Sequence, residues 1–185
     1  MSIRHGLLAL LADGPCPASR LRAGFEARTG AAWPLDLGRV RAALGRLEHD
    51  GLVTREGVDE AGRVVYALAE AGRAELRAWY ARPVERTGPP RDELAIKLAL
   101  AVGTPGVDVR EVVDTQRRHV SEALHDHVRR RAQVLAGPLG TPDEVARLLV
   151  VEQLICRAEA ESRWLDHCEA RLLRLDLHRG GETGE

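Results

Sequence analysis

Leu37, Val40, Leu44 and Leu47 recur at spacings of three and four, which is the stripe of an amphipathic helix. Asp36 stands where an N-cap is wanted, Pro34 lies just before the start, and Gly51 occupies the position where a left-handed residue ends a helix. At about 100° per residue, Gly38, Arg39, Ala42, Gly45 and Arg46 fall on the face away from the stripe. An ordinary solvated helix would mix acids and lysines there. This face carries small residues and two arginines, which suits a helix that slides into the DNA major groove, where little bulk and a few long cationic donors are needed.

The same patterning predicts the elements around it. Residues 3–12 read as a helix with Leu7, Leu8, Leu10 and Leu11 apolar, stopped by Asp13-Gly14-Pro15. Residues 18–29 read as a second, with Leu21 and Phe25 on its buried side and Gly30 after it. Leu52-Val53-Thr54-Arg55 is a strand candidate, Asp59-Glu60-Ala61-Gly62 is turn chemistry, and in residues 63–68 Val64, Tyr66 and Leu68 alternate on one face. These two strands predict a hairpin, and residues 70–81, with Leu76, Trp79 and Tyr80, predict a fourth helix. Three short helices followed by a hairpin is the order of a winged helix-turn-helix.

Residues 83–91 hold three prolines and a glycine and read as a linker. Beyond it, residues 92–102 form a short apolar helix capped by Asp92, and residues 108–136 a long one. Thr141-Pro142-Asp143-Glu144 is a helix start with a cap, a proline at the first position and acids in the first turn. The helix it opens runs to about residue 178 with a heptad-like seam. One position reads Leu148, Ile155, Ser162 and Glu169; the other reads Val151, Ala158, Leu165 and Leu172. Two antiparallel helices of this length have more apolar surface than they can cover, and the same pair in a second copy would cover the rest, giving a two-fold dimer through Leu148, Val151, Ile155, Ala158, Leu165 and Leu172. The expected fold is mainly α with a small β-hairpin wing: a winged helix-turn-helix over residues 1–82, the linker 83–91, a long-helix dimerisation and effector domain over 92–179, and a disordered tail at 180–185.

Composition adjusts this picture only slightly. Aromatic residues are 3% of the chain, which argues against stacking of single-stranded RNA. Net charge is −1, distributed as +2 over residues 1–82 and −3 over residues 83–185. A mildly basic first part and acidic second part suit an N-terminal DNA-binding unit. Lys97 is the single lysine, and with so much Ala and Gly the arginine excess reads as the codon bias of a GC-rich genome. Cys16, Cys156 and Cys168 have no paired spacing, which fits a reducing cytoplasm. No apolar run is long enough to span a bilayer, and a cytoplasmic protein is expected. His119 and His127 are eight residues apart, not the i,i+4 placement that chelates one ion, so no metal and no cofactor are expected. There is no glycine-rich phosphate loop, no Gly-x-Ser-x-Gly and no zinc-hydrolase motif, so an enzyme is not expected either.

Several motifs are shared with a family. They are Leu7-Leu8-Ala9-Leu10-Leu11 followed by Gly14-Pro15, then Arg28-Thr29-Gly30, Trp33-Pro34-Leu35, Gly38, Leu44, Arg46-Leu47-Glu48 and Asp50-Gly51-Leu52-Val53, with Tyr66-Ala67-Leu68 and Glu70-Ala71-Gly72-Arg73 closing the pattern. In these residues the chain resembles the winged-helix domain of PadR-type bacterial transcriptional regulators. The second half resembles members with a larger C-terminal domain, in architecture only. The resemblance implies a repressor relieved, in many members, by a small aromatic or drug-like effector. Two positions depart from the pattern: Ala18-Ser19 replaces a Gly-Tyr pair, and Arg41 replaces a tyrosine.

On this reading the protein is a homodimer presenting two recognition helices to successive major grooves of a pseudo-palindromic operator. Arg39, near the helix start on the outer face, is the first choice for a base contact; Arg46 reaches base or phosphate; Arg41 lies on the flank toward phosphate. Asp36, Gly38 and Ala42 complete that surface. Ser19 and Arg20 are phosphate candidates, and Arg55 and Arg63 are wing contacts, Arg63 suited to a narrow minor groove. Trp164, midway along the last helix, either lines an effector pocket or belongs to the core. The rival reading is a helical protein-interaction module that has lost DNA binding, which the two departures would favour.

Overall fold

The computed structural model describes residues 3–85, 92–137 and 140–181. They fall into two compact units, Met1–Glu85 with Gly140–Val150, and Arg86–Leu139 with Val151–Glu185.

In the first unit the elements follow the order α1 (Ile3–Leu11), β1 (Cys16–Pro17), α2 (Ala18–Arg28), α3 (Leu37–His49), β2 (Val53–Val58), β3 (Val64–Leu68) and α4 (Glu70–Ala81). The predicted stripe of α3 is its buried face: Val40, Leu44 and Leu47 are sequestered together with Ala43, and Leu37 packs at the edge. They meet Leu7, Leu8 and Leu11 of α1, Leu21 of α2, Val53, Tyr66 and Leu68 of the sheet and Leu76 of α4 in one core. Each of these leucines and valines contributes roughly 1.5–3 kcal/mol by leaving water. The end of α3 is a Schellman motif. Gly51 takes φ 70°, its N–H donates to Glu48 O at 2.9 Å, and the Leu52 N–H donates to Leu47 O at 2.8 Å.

The hairpin predicted from the sequence is part of a larger sheet. β1 adds a third strand, in the order β1-β3-β2, with Cys16 opposite Tyr66 and Pro17 opposite Val65. Two residues are too few to show a period, so only the folded chain reveals this strand. β3 is thereby the central strand, and Tyr66, Ala67 and Leu68 along it are all buried. β2 runs on to Val58, beyond the expected Arg55, and a register shift between Arg55 and Gly57 leaves Glu56 as a bulge.

The start of α7 (Pro142–Gly181) belongs to this unit. Arg28 of α2 donates from Nε to Asp143 at 2.7 Å and from Nη2 to Asp13 at 2.6 Å, and these carboxylates push the guanidinium pKa further up. The predicted helix start is a capping box: Glu144 Oε2 accepts from the Thr141 N–H at 2.9 Å and the Gly140 N–H at 3.0 Å, while Thr141 Oγ1 accepts from the Glu144 N–H at 3.3 Å. Those donors, Thr141's backbone N–H first, hold the Glu144 carboxyl below its usual 4.5. A depressed carboxylate stabilises the fold above its unfolded pKa and loses that contribution as pH falls through the folded value. Glu144→Gln is therefore expected to lower Tm at neutral pH, and thermal melts repeated at pH values falling below the usual 4.5 should show the gap from wild type closing.

The second unit holds α5 (Glu93–Ala101), α6 (Val109–Leu135) and the rest of α7. Asp92 and Asp108 cap α5 and α6 through their side chains. Leu98, Val113, Val120, Ala158 and Leu165 form its core, with Leu94, Leu124, Trp164 and Leu172 partly buried against it. Gln116 donates to Glu161 at 2.7 Å, and Arg117 bridges Glu169 at 2.7 Å and Asp166 at 3.2 Å.

This corrects the seam argument. Val151, Ile155, Ala158 and Leu165 are buried within the single chain, Leu165 completely, while Leu148 and Leu172 are half-buried. Of these, Ala158 and Leu165 share a core with Leu98 of α5 and with Val113 and Val120 of α6. α7 also continues to Gly181, past the expected end near residue 178 and into the expected tail, since no proline stops it. Residues 86–91 of the expected linker and 182–185 of the tail lie outside the described residues. Among the described residues no helix is long and apolar enough to cross a membrane.

Candidate nucleic-acid interface

α3 carries the candidate interface. Its core-facing side is fixed by Val40, Ala43, Leu44 and Leu47, so Gly38, Arg39, Arg41, Ala42, Gly45 and Arg46 are all exposed. Helical geometry puts Gly38, Ala42 and Gly45 on the outermost ridge and the arginines on its two flanks. Arg39 and Arg46 share a shallow hollow of about 560 Å³ with Ile3 and Arg4 of α1. Arg41 shares another, of about 620 Å³, with Ser19, Arg55, Arg63 and Tyr66. The folded chain thus brings Ser19, Arg41, Arg55 and Arg63 together and sets Arg39 and Arg46 on the opposite flank. Arg4 joins the latter. Its place in the first turn of α1 carried no sequence signal, because only the packing of α1 across α3 brings it there.

The arginines differ in how they are held. Among the described residues Arg20, Arg39, Arg41 and Arg46 have no ion-pair partner. Arg55 pairs with Glu48 at 2.7 Å and lies over the Tyr66 ring, 6.0 Å from its centroid. Arg63 pairs with Asp59 at 2.7 Å, and Asp59 also accepts the backbone N–H groups of Arg63 at 2.9 Å and Ala61 at 3.0 Å. These bonds, the Arg63 backbone first, keep the Asp59 carboxyl below its usual 3.8. The wing arginines are thus partly neutralised before any ligand arrives, and Arg63 is folded back on its own turn.

Asp36 acts through the backbone: its Oδ1 accepts the Arg39 N–H at 3.0 Å and fixes the first turn of α3. A Cβ on Gly38 would come within 2.9 Å of that oxygen, so glycine protects the cap. Gly45 has no such reason, since a Cβ there meets nothing within 4 Å. Gly45→Ala is expected to stabilise the protein by about 0.5–1 kcal/mol, measured by urea denaturation, because alanine is the better residue inside a helix.

α2 begins at Ala18 after Pro17, with no side-chain cap, so its first-turn N–H groups beside Ser19 and Arg20 are available to an anion. Trp164 packs, part-buried, against the core of the second unit. Among the described residues no group of three His, Cys, Asp or Glu side chains is placed to hold a metal ion.

Three short helices, a wing and an exposed cationic α3 define a winged helix-turn-helix domain. Residues 7–78 match the Transcriptional regulator PadR-like family, and residues 90–172 match the family described as Virulence activator alpha C-term. Residues 7–78 thus form a domain of the PadR-like type. It is 30% identical over 94 residues to the Probable transcriptional regulator Rv1176c of Mycobacterium tuberculosis, an alignment covering 49% of this chain and 50% of that one; the chain thus spans half the length of this curated relative.

Among solved structures, Bacillus subtilis PadR in complex with operator DNA aligns with TM-score 0.72 at 19% identity, covering 91% of this chain and 97% of that one. Its complex with p-coumaric acid aligns with TM-score 0.74 at the same 19% identity and coverage of 91% and 97%. The Vibrio cholerae virulence activator AphA aligns with TM-score 0.72 at 22% identity, covering 94% and 99%. At these identities the likeness is one of fold, and it spans both units.

Proposed function

We propose that this protein is a cytoplasmic, sequence-specific DNA-binding repressor that acts as a homodimer. The observation that carries this reading is the exposed face of α3, a ridge of Gly38, Ala42 and Gly45 flanked by Arg39, Arg46 and Arg41, which have no ion-pair partner among the described residues. A narrow helix face with cationic donors on both sides fits the major groove, where small residues allow close approach and arginines reach bases and phosphates. Arg39, in the first turn, is the base-reading residue. Arg41, Ser19, Arg20 and the open end of α2 hold phosphates on the wing side. Arg55 and Arg63 contribute less, since each must first exchange a carboxylate for a phosphate.

The dimer surface lies on apolar side chains that the single chain leaves in water. In the second unit these include Ile96 and Leu100 of α5, Val128 and Leu135 of α6 and Leu173 of α7. By likeness to Bacillus subtilis PadR with p-coumaric acid, a small aromatic effector relieves repression by favouring a form with misfitting recognition-helix spacing. Trp164 is the residue whose fluorescence would report its entry, with Trp164→Phe as the control.

Gel-shift binding to the DNA upstream of the protein's own gene, at two salt concentrations, tests the reading. Tight binding that weakens steeply with salt and exceeds binding to unrelated duplex is expected. Failure to bind both that DNA and fragments selected from the whole genome would overturn it in favour of the protein-interaction reading.

A further inference from the structure

Arg4, Arg39 and Arg46 line one hollow of about 560 Å³ where α1 crosses α3, floored by Ile3, Ala42, Ala43 and Leu47. Arg39 and Arg46 are seven residues apart, which is about 10 Å along the helix, so they occupy opposite ends of the hollow. Arg4 forms an ion pair with Asp50 at 2.8 Å, and both side chains are well exposed, at 45% and 39%. Asp50, and Glu75 of α4 acting on Arg4 through space, set two carboxylates against three guanidiniums, which leaves the hollow cationic. It is also concave and open, and its floor is apolar apart from the backbone.

We infer that Arg4 and Arg46 form a phosphodiester-binding site on the flank of α3 remote from the wing. This rests on the DNA-binding reading and adds to it a contact from α1. An anion here takes donors from two helices at once, and Arg guanidiniums match phosphate oxygens bidentately. Its role differs from that of Arg39 at the other end of the hollow: a phosphate contact adds affinity on every sequence, whereas a base contact adds it on one. With Arg41 and Ser19 on the wing side, α3 is then held to the backbone from both flanks, which fixes its register in the groove. Asp50 is the internal competitor. In free protein it occupies Arg4, and bound DNA must share or displace it.

The test uses the full chain, a specific duplex and a duplex of unrelated sequence, with Arg4→Gln and Asp50→Asn variants. Arg4→Gln is expected to weaken both duplexes alike, on the order of tenfold, and to reduce the slope of log affinity against log salt by about one. Asp50→Asn is expected to strengthen both, because Arg4 is released and a repelling charge removed. An exposed ion pair adds little to stability, so thermal melts should show both variants folded. If the pair were merely structural, the two variants would lose stability together and bind as wild type does, and that result overturns the inference. Loss of discrimination between duplexes in Arg4→Gln, at unchanged affinity for the unrelated one, overturns it as well. Wild type binding neither duplex would overturn the DNA-binding reading and this site together, and is distinguishable from the first two outcomes. Should Arg4→Gln fail to fold, the sign of the Asp50→Asn effect still decides.

Discussion

Gly72→Ala is expected to destabilise the protein by about 3 kcal/mol or more, at the upper end of what overpacking does. Gly72 is buried in α4, and an alanine Cβ would lie 2.2 Å from Leu52 O and 2.7 Å from Leu68 Cδ1. The backbone oxygen cannot turn away, because it accepts the Ala69 N–H at 3.0 Å where α4 leaves β3. Either α4 must lift off the sheet or that bond must break. A stability margin of roughly 5–15 kcal/mol loses a large part of itself in this way. Urea denaturation at equilibrium measures the effect, with Gly45→Ala as the matched control: one substitution on two helices, expected with opposite signs. A Gly72→Ala variant as stable as wild type would mean that α4 does not approach Leu52 as described.

Arg39→Ala and Arg41→Ala are expected to fail differently. Arg39 stands unpaired in the first turn of α3, where a guanidinium can take a guanine edge. Its loss should reduce discrimination between operator and unrelated duplex by about 1–3 kcal/mol, or roughly 5- to 150-fold. Arg41 shares its hollow with Ser19 and the wing arginines. Its loss should weaken all duplexes alike and flatten the salt dependence by about one phosphate. Fluorescence anisotropy with both duplexes over a salt series separates the two patterns. If Arg41→Ala also relaxed specificity while Arg39→Ala did not, the two flanks of α3 would have exchanged roles.

Much of the fold was legible because its elements are local. The stripe of α3, its cap at Asp36 and its stop at Gly51 depend on residues within one or two turns, and the folded chain places them as the spacing predicts. The same holds for α4, for the Asp92 cap and for the Thr141–Glu144 capping box. The exposed face of α3 was legible for the same reason, since periodicity alone assigns which side chains point away from the core.

What the sequence could not show depends on contacts between distant residues. β1 is a strand only because Tyr66 and Val65 come to lie beside Cys16 and Pro17. The apolar seam of α7 looked like a surface awaiting a second copy, but Val113, Val120 and Leu98 bring the walls that enclose Ala158 and Leu165. Helical spacing reports that a residue will be buried and is silent on which partner buries it. The arginines show the same division. The positions of those on α3 were set by the sequence, whereas the grouping into two hollows, the pairing of Arg55 with Glu48, and the arrival of Arg4 in the hollow of Arg46 were decided by tertiary packing. Charge acts through space, so its meaning for a ligand is settled only when the chain has folded.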